Sequence, residues 1–330
     1  MRKKAKGFGK ILFLSVLILG LLFLFFVFQK EGKTFILKGK KISFLKPQKK
    51  EEKNFLLKKR GFMVVLSLLR ETFPLSGISF ADVLIEAPVA NPGGVTRILA
   101  IFFDKRPEEV GSVRSVRPYM VDLAKGYDAI LVSWGGCDAG AKRISKLNVD
   151  WFTPIVKPKA NSAFFRKRNI PRPHNGFVSL KTAENIAKKL ALQREPKFKG
   201  FLFKEKTHPL DTTQEIKIKN FYETKFVYDK NSGDYLMYWQ KKEMIDKLNS
   251  KQVRVKNVVL MKTKIGVLLP GVADIKVEGK GEAKIYMEGK EIDGFWKKES
   301  PSSPLKFYQK DGKEIKFVPG KIYIGIVSKF

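Results

Sequence analysis

The sequence predicts an α/β (or α+β) N-terminal domain and a β-rich C-terminal domain, carried behind one N-terminal transmembrane helix. Three observations predict this. A charge-free apolar run fills Ile11–Phe28. Strand-like and helix-like segments alternate from Phe62 to Gln193. From about Phe221 helical spacing gives way to short alternating strands.

The apolar run ILFLSVLILGLLFLFFVF would span about 27 Å as a helix, close to the hydrocarbon thickness of a bilayer. Arg2, Lys3, Lys4, Lys6 and Lys10 precede it with no acid, which predicts a cytoplasmic tail over residues 1–10. No small-residue cleavage pattern closes the run, so it reads as a signal anchor with the rest of the chain outside the cytoplasm. Residues 29–60 hold 12 basic residues and three acids, and read as a basic stalk able to lie on anionic headgroups.

Residues 61–195 carry the α/β pattern. Phe62–Leu69, Val83–Glu86, Thr96–Phe103 and Ala129–Ser133 read as strands, with a short return strand at Ser112-Val113. Pro118–Lys125 reads as a helix opened by proline, Asp138–Leu147 as a helix capped by Asp138, and Lys181–Gln193 as an amphipathic helix. Residues 196–220 read as a Lys-rich linker. In 221–330, Arg254–Met261, Asp274–Val277 and Ala283–Met287 read as strands, and Asp311-Gly312 as a hairpin turn. Ile322, Ile324 and Ile326 share one face of a last strand.

The chain has 330 residues, 65 Lys+Arg against 32 Asp+Glu, and a net charge of +33. Its 44% hydrophobic content is enough to order a core, which excludes a disordered chain. The single cysteine, Cys137, excludes an intramolecular disulfide, and two distant histidines argue against a multi-His metal centre. No metal or cofactor is predicted. The charge favours an anionic surface; the apolar run makes that surface a membrane, and nucleic acid is not expected as a partner. Arginine is distributed differently from lysine. Eight of the 13 arginines lie between Arg97 and Arg172. A chain that otherwise uses lysine gains from guanidinium where carboxylate or phosphate is bound through two parallel hydrogen bonds.

Several segments carry a likeness in order: SGISFADVLIE (76–86), GGVTRILAIFF (93–103), VGSVRSVRPYMVDLAKGYDAILVSWGG (110–136), RPHN (172–175), EGKGEAKIYMEGK (278–290) and DGKEIKFVPGKIYIGIV (311–327). Over residues 62–330 the chain resembles the YerB-like lipoprotein family. The resemblance implies a bacterial, membrane-attached, extracytoplasmic protein with two domains of unknown function, and supplies no reaction. Three departures stand out: a transmembrane helix takes the place of a lipidated cysteine, Asn91-Pro92 precede Gly93 where that family often has an acid, and Ser112 takes the place of proline before Val113-Arg114-Ser115. A missing acid favours binding over catalysis.

The strongest local feature is Arg97, Arg114, Ser115 and Arg117 with Gly93-Gly94 and Gly111, set at a strand end and a helix start. Guanidiniums and free backbone N–H groups there would hold an anion. The alternative is that Arg97 and Arg114 pair with Asp82 or Glu86 inside the domain. A second cluster, Arg166, Arg168, Arg172, His174 and Asn175, lies on a proline-rich loop, and Arg172, His174 and Asn175 are counted as anion-binding candidates. Ser115 as nucleophile with His174 as base is the catalytic candidate. Cys137 at a helix start is either a reactive thiol or a small buried residue. Three functional readings follow. The first is an envelope protein binding an anionic, phosphate- or carboxylate-bearing ligand or an envelope partner. The second is an enzyme acting on phosphorylated precursors or glycan polymers, a phosphotransferase or hydrolase. The third is a structural interaction module. Whether the protein is an enzyme is left open by the residues.

Overall fold

A computed structural model describes residues 34–37, 40–43, 57–90, 95–155, 160–218 and 222–330. The predicted tail 1–10, membrane segment 11–28 and most of the stalk 29–60 lie outside the described residues, as do Gly93 and Gly94. Among the described residues no helix is long and apolar enough to cross a membrane. Within the stalk, Thr34–Leu37 and Lys40–Ser43 pair as an antiparallel hairpin.

The main body is organised by one ten-stranded sheet. Its strands are β1 (Phe62–Leu68), β2 (Val83–Pro88), β3 (Thr96–Phe102), β4 (Ile130–Val132), β5 (Trp151–Phe152), β6 (Asn257–Lys262), β7 (Gly279–Met287), β8 (Lys290–Lys298), β9 (Lys306–Gln309) and β10 (Ile322–Val327). The spatial order is β9-β8-β7-β6-β10-β2-β3-β1-β4-β5. β10 runs parallel to both β6 and β2, so the last strand of the chain joins the two halves into one sheet. Three helices, α1 (Pro118–Gly126), α2 (Asp138–Leu147) and α3 (Leu180–Lys189), stand among the N-terminal strands. The C-terminal part is almost entirely strand.

Both faces of the sheet are covered, which is why β1 and β3 are buried along their whole length. Met63 and Val65 face one side with Leu99, Ile101, Ile322, Ile324 and Ile326, where Tyr119, Met120 and Leu123 of α1 pack. Phe62, Val64 and Leu66 face the other with Ile98 and Ala100. That side takes α3 through Leu180, Ala183 and Ala187, and a second sheet through Phe226, Tyr235 and Met237. The second sheet is built from Glu215–Ile218, Thr224–Asp229, Asp234–Trp239, Lys242–Glu243 and Arg254–Val255.

Several expectations shift. The return strand falls at Val110–Gly111 rather than Ser112-Val113. Val113 instead makes an isolated bridge to Leu66. α3 ends at Lys189 because the next turn breaks: Leu190 is its cap and Ala191 takes a φ of 52°. Arg254–Met261 splits into two strands serving different sheets. After the Asp311-Gly312 turn only Glu314 bridges back to Tyr308. α2 is capped by Cys137, and Asp138 sits in its first turn. The stretch 196–220 buries Phe198 and Phe201 in the core, where they pack edge-on against one another and near Tyr127.

Candidate functional site

Arg97 occupies the second position of β3, between Ser67 of β1 and Ala87 of β2. Period-2 alternation turns its side chain to the face that carries Leu99, Ile101 and α1. β4 flanks β1 only from Phe62 to Val64. Beyond that the slot beside β1 is filled by residues 112–114: Ser67 N donates to Ser112 O at 2.9 Å and Arg114 N to Val65 O at 2.8 Å. On its other side this segment is bound to the loop after β4. Trp134 N donates to Arg114 O, and Val116 N to Gly135 O, each at 3.0 Å. Arg114, Ser115 and Arg117 therefore stand on a backbone held from two directions, and Arg117 is the cap residue of α1.

The three guanidiniums converge. Arg97, 8% exposed, donates from Nη1 to the carbonyl of Ser115. Burial pushes its pKa down to about 9, with the charges of Arg117 and Arg114 adding to the effect. Burial and then Arg117 also lower the pKa of Arg114. Arg117 Nη1 donates to Val116 O at 3.2 Å, and its Nε is buried without a partner. Elsewhere arginines meet acids: Arg60 with Asp150 at 2.6 Å, Arg143 with Asp122 at 2.7 Å, Arg194 with Asp128 at 2.6 Å, Arg106 with Glu184 at 3.2 Å. Among the described residues no carboxylate lies within ion-pair distance of Arg97, Arg114 or Arg117. A buried, uncompensated charge costs several kcal/mol, and these three guanidiniums stand together without a carboxylate among the described residues.

Asp82 and Glu86 do not supply that partner. Asp82 Oδ2 accepts from Phe103 N at 2.7 Å, at the far end of β3 from Arg97. Glu86 lies opposite Ile98 and faces the other side of the sheet. There its Oε2 accepts from Thr224 Oγ1 at 2.8 Å and from the Tyr323 hydroxyl. Burial raises Glu86 to about 7 against the pull of these hydroxyls. Sequence reasoning missed this network, because Thr224 and Tyr323 are supplied by distant strands. The one signal was an acid inside the otherwise apolar strand VLIEAP.

The proline-rich loop divides. Arg114 Nη1 donates to Pro173 O at 3.1 Å, which brings His174 to the arginines. Its Nδ1 is buried without a partner. Burial first, then Arg114, lowers the pKa of His174, with Glu71 opposing. Arg172 is exposed, and its charge acts on Arg166. Asn175 turns inward, accepting from Arg166 and donating to Lys167 O. Arg166 also stacks on Trp134, 4.2 Å from the ring centroid. The Ser115 hydroxyl donates to Trp134 O at 3.1 Å, and no hydrogen bond joins it to His174. The serine–base pair needed for nucleophilic attack is thus not formed in this structure. Cys137 is half-buried at the start of α2.

Comparison with known proteins places the chain. Residues 47–193 match the N-terminal domain, and residues 214–324 the C-terminal domain, of a protein of unknown function, DUF3048. The chain belongs to the DUF3048 family. It is 31% identical over 286 residues to the Bacillus subtilis (strain 168) protein named "Putative lipoprotein YerB", covering 82% of this chain and 81% of that one. The crystal structure of YerB protein from Bacillus subtilis superposes with a TM-score of 0.72 at 27% identity, over 86% of this chain and 94% of that chain. Membership in this uncharacterised family accounts for the fold and leaves the arginine cluster without an assigned ligand.

Proposed function

We propose that this DUF3048 protein is a membrane-attached, extracytoplasmic binding protein whose ligand carries a phosphate or carboxylate seated among Arg97, Arg114 and Arg117. One observation carries the reading: Arg97 is buried beside two further guanidiniums, with no carboxylate near them among the described residues. Two rigid backbone segments and the start of α1 hold the donors in place, so the site needs little ordering when an anion enters. His174 adds a donor that becomes cationic in mild acid. Membrane attachment rests on the apolar run Ile11–Phe28 with its basic flank, and on the lipoprotein name of the Bacillus relative.

The test is thermal unfolding of the full chain in detergent with inorganic phosphate or pyrophosphate against chloride at equal ionic strength. A ligand present at one hundred times its Kd stabilises the folded state by about 2.7 kcal/mol, a readable rise in melting temperature. The rise is expected in the wild type and absent in Arg117→Ala and Arg114→Ala. An equal rise in all three proteins, or none with any anion including acidic glycans, would overturn the proposal.

A further inference from the structure

Large apolar side chains that remain exposed are scattered singly over the described surface, with one exception. Val267, Leu268 and Leu269 are consecutive and 52%, 39% and 54% exposed. They form the tip of the antiparallel hairpin Ile265–Leu269 with Val272–Ile275. Pro270 and Gly271 close it. Gly271 has a φ of 75°, as the third position of a proline-glycine type II turn requires. A bulge between Val267 and Leu269 brings Leu268 out beside its neighbours. The base of the hairpin is fixed. Ala273 and Ile275 are buried in the core, and Ala273 N donates to Val89 O at 3.1 Å. Because Ala273 is the cross-strand partner of Val267, the hairpin is anchored along the body close to its turn, and Val267, Leu268 and Leu269 form an apolar edge exposed at its end.

Charge sits at one level below that tip. Lys264 and Lys276 are exposed cross-strand neighbours, joined through Lys276 N to Lys264 O at 3.1 Å. From Lys264 to Leu269 is five residues, about 17 Å of strand, and the apolar tip itself is about 10 Å of that. An amphipathic element at a bilayer buries its apolar part by roughly 5–10 Å, and lysines further along the same hairpin reach the lipid phosphates through their flexible stems. Asp274, opposite Gly266, is the one acid in residues 263–277. The chain as a whole carries +33 and is drawn to an anionic surface.

We propose that the Ile265–Ile275 hairpin is a lipid-docking element: its Val267–Leu269 tip enters an anionic bilayer while Lys264 and Lys276 meet the headgroup phosphates. None of the arginine-cluster residues takes part, so this inference and the proposed anion site stand or fall separately. It adds a second attachment that orients the folded body against the membrane.

The experiment uses the full chain with Cys137→Ser and one new thiol, Leu268→Cys, labelled with an environment-sensitive nitrobenzoxadiazole dye. A control carries the dye at Lys313→Cys, on the exposed Asp311–Lys313 turn. Each protein is added to vesicles of phosphatidylglycerol with phosphatidylcholine, or of phosphatidylcholine alone. The dye at position 268 should shift to the blue and be quenched by brominated lipid tails on the anionic vesicles, and the dye at 313 should not. Lys264→Gln with Lys276→Gln should lower the docked-to-free ratio roughly thirty-fold, the loss of two lysine–headgroup attractions. A dye at 268 that stays water-like on anionic vesicles, or behaves as it does at 313, would overturn the proposal. So would a blue shift without lipid that grows with protein concentration, which would make a second copy the occupant.

Discussion

The buried carboxylate of Glu86 makes stability depend on pH in a direction opposite to that of a salt-bridged acid. Its pKa rises from 4.5 to about 7 in the folded protein, chiefly through burial. Below about pH 4.5 the group is protonated whether the chain is folded or not, and it contributes no penalty. Between about 4.5 and 7 the unfolded chain ionises Glu86 while the folded chain holds the proton, so stability falls as pH rises. Above 7 both states are ionised and the loss is complete. A shift of this size corresponds to about 3 kcal/mol, at ~1.4 kcal/mol for each pH unit. Glu86→Gln removes the charge and keeps an oxygen for Thr224 Oγ1 and the Tyr323 hydroxyl. Its amide stands beside the Thr96 hydroxyl, which already acts on Glu86. The variant should match the wild type near pH 4 and melt higher by roughly 5 °C at pH 8, given about 2 °C per kcal/mol for a body of this size. Melting curves of both proteins across that range test this, and their difference cancels every other titrating group. A difference that is flat with pH, or a variant that melts lower at pH 8, would show that Glu86 is not held neutral by its surroundings.

Two further predictions follow from the same architecture. Deleting residues 320–330 should unfold the N-terminal strands as well as the C-terminal ones, because β10 is the strand between β2 and β6; limited proteolysis with mapped cleavage sites in both halves checks it, and cuts confined to the C-terminal half would refute it. Affinity for sulfate, whose charge does not change in this range, should rise as the pH falls into mild acid, since an anion beside Arg114 favours the imidazolium that burial and Arg114 now disfavour at His174, and this dependence should vanish in His174→Ala when binding is followed by calorimetry.

How much of this was legible in the sequence depends on whether the deciding interaction is local. α1 and α2 were readable because a proline at the first turn and an apolar stripe act within one element. β1 and β3 were readable because strands buried on both faces are apolar throughout. The path of β10 was not, because its neighbours Val83–Glu86 and Asn257–Lys262 lie far along the chain and on either side of it. The arginine cluster falls between these cases. Its residue types were visible, but whether Arg97 meets Glu86 turns on register. In the antiparallel pair of β2 and β3, Arg97 stands opposite Ala87, and Glu86 opposite Ile98. A slip of one residue would bring Glu86 opposite Arg97 on the same face and close an ion pair. The observed register sends the acid to Tyr323 and Thr224 on one side and the arginine to Ser115 and Arg117 on the other. One alternation of the pleat thus separates two charges that are neighbours in the sheet, leaving the carboxylate protonatable in the core on one face and the guanidinium beside Arg114 and Arg117 on the other.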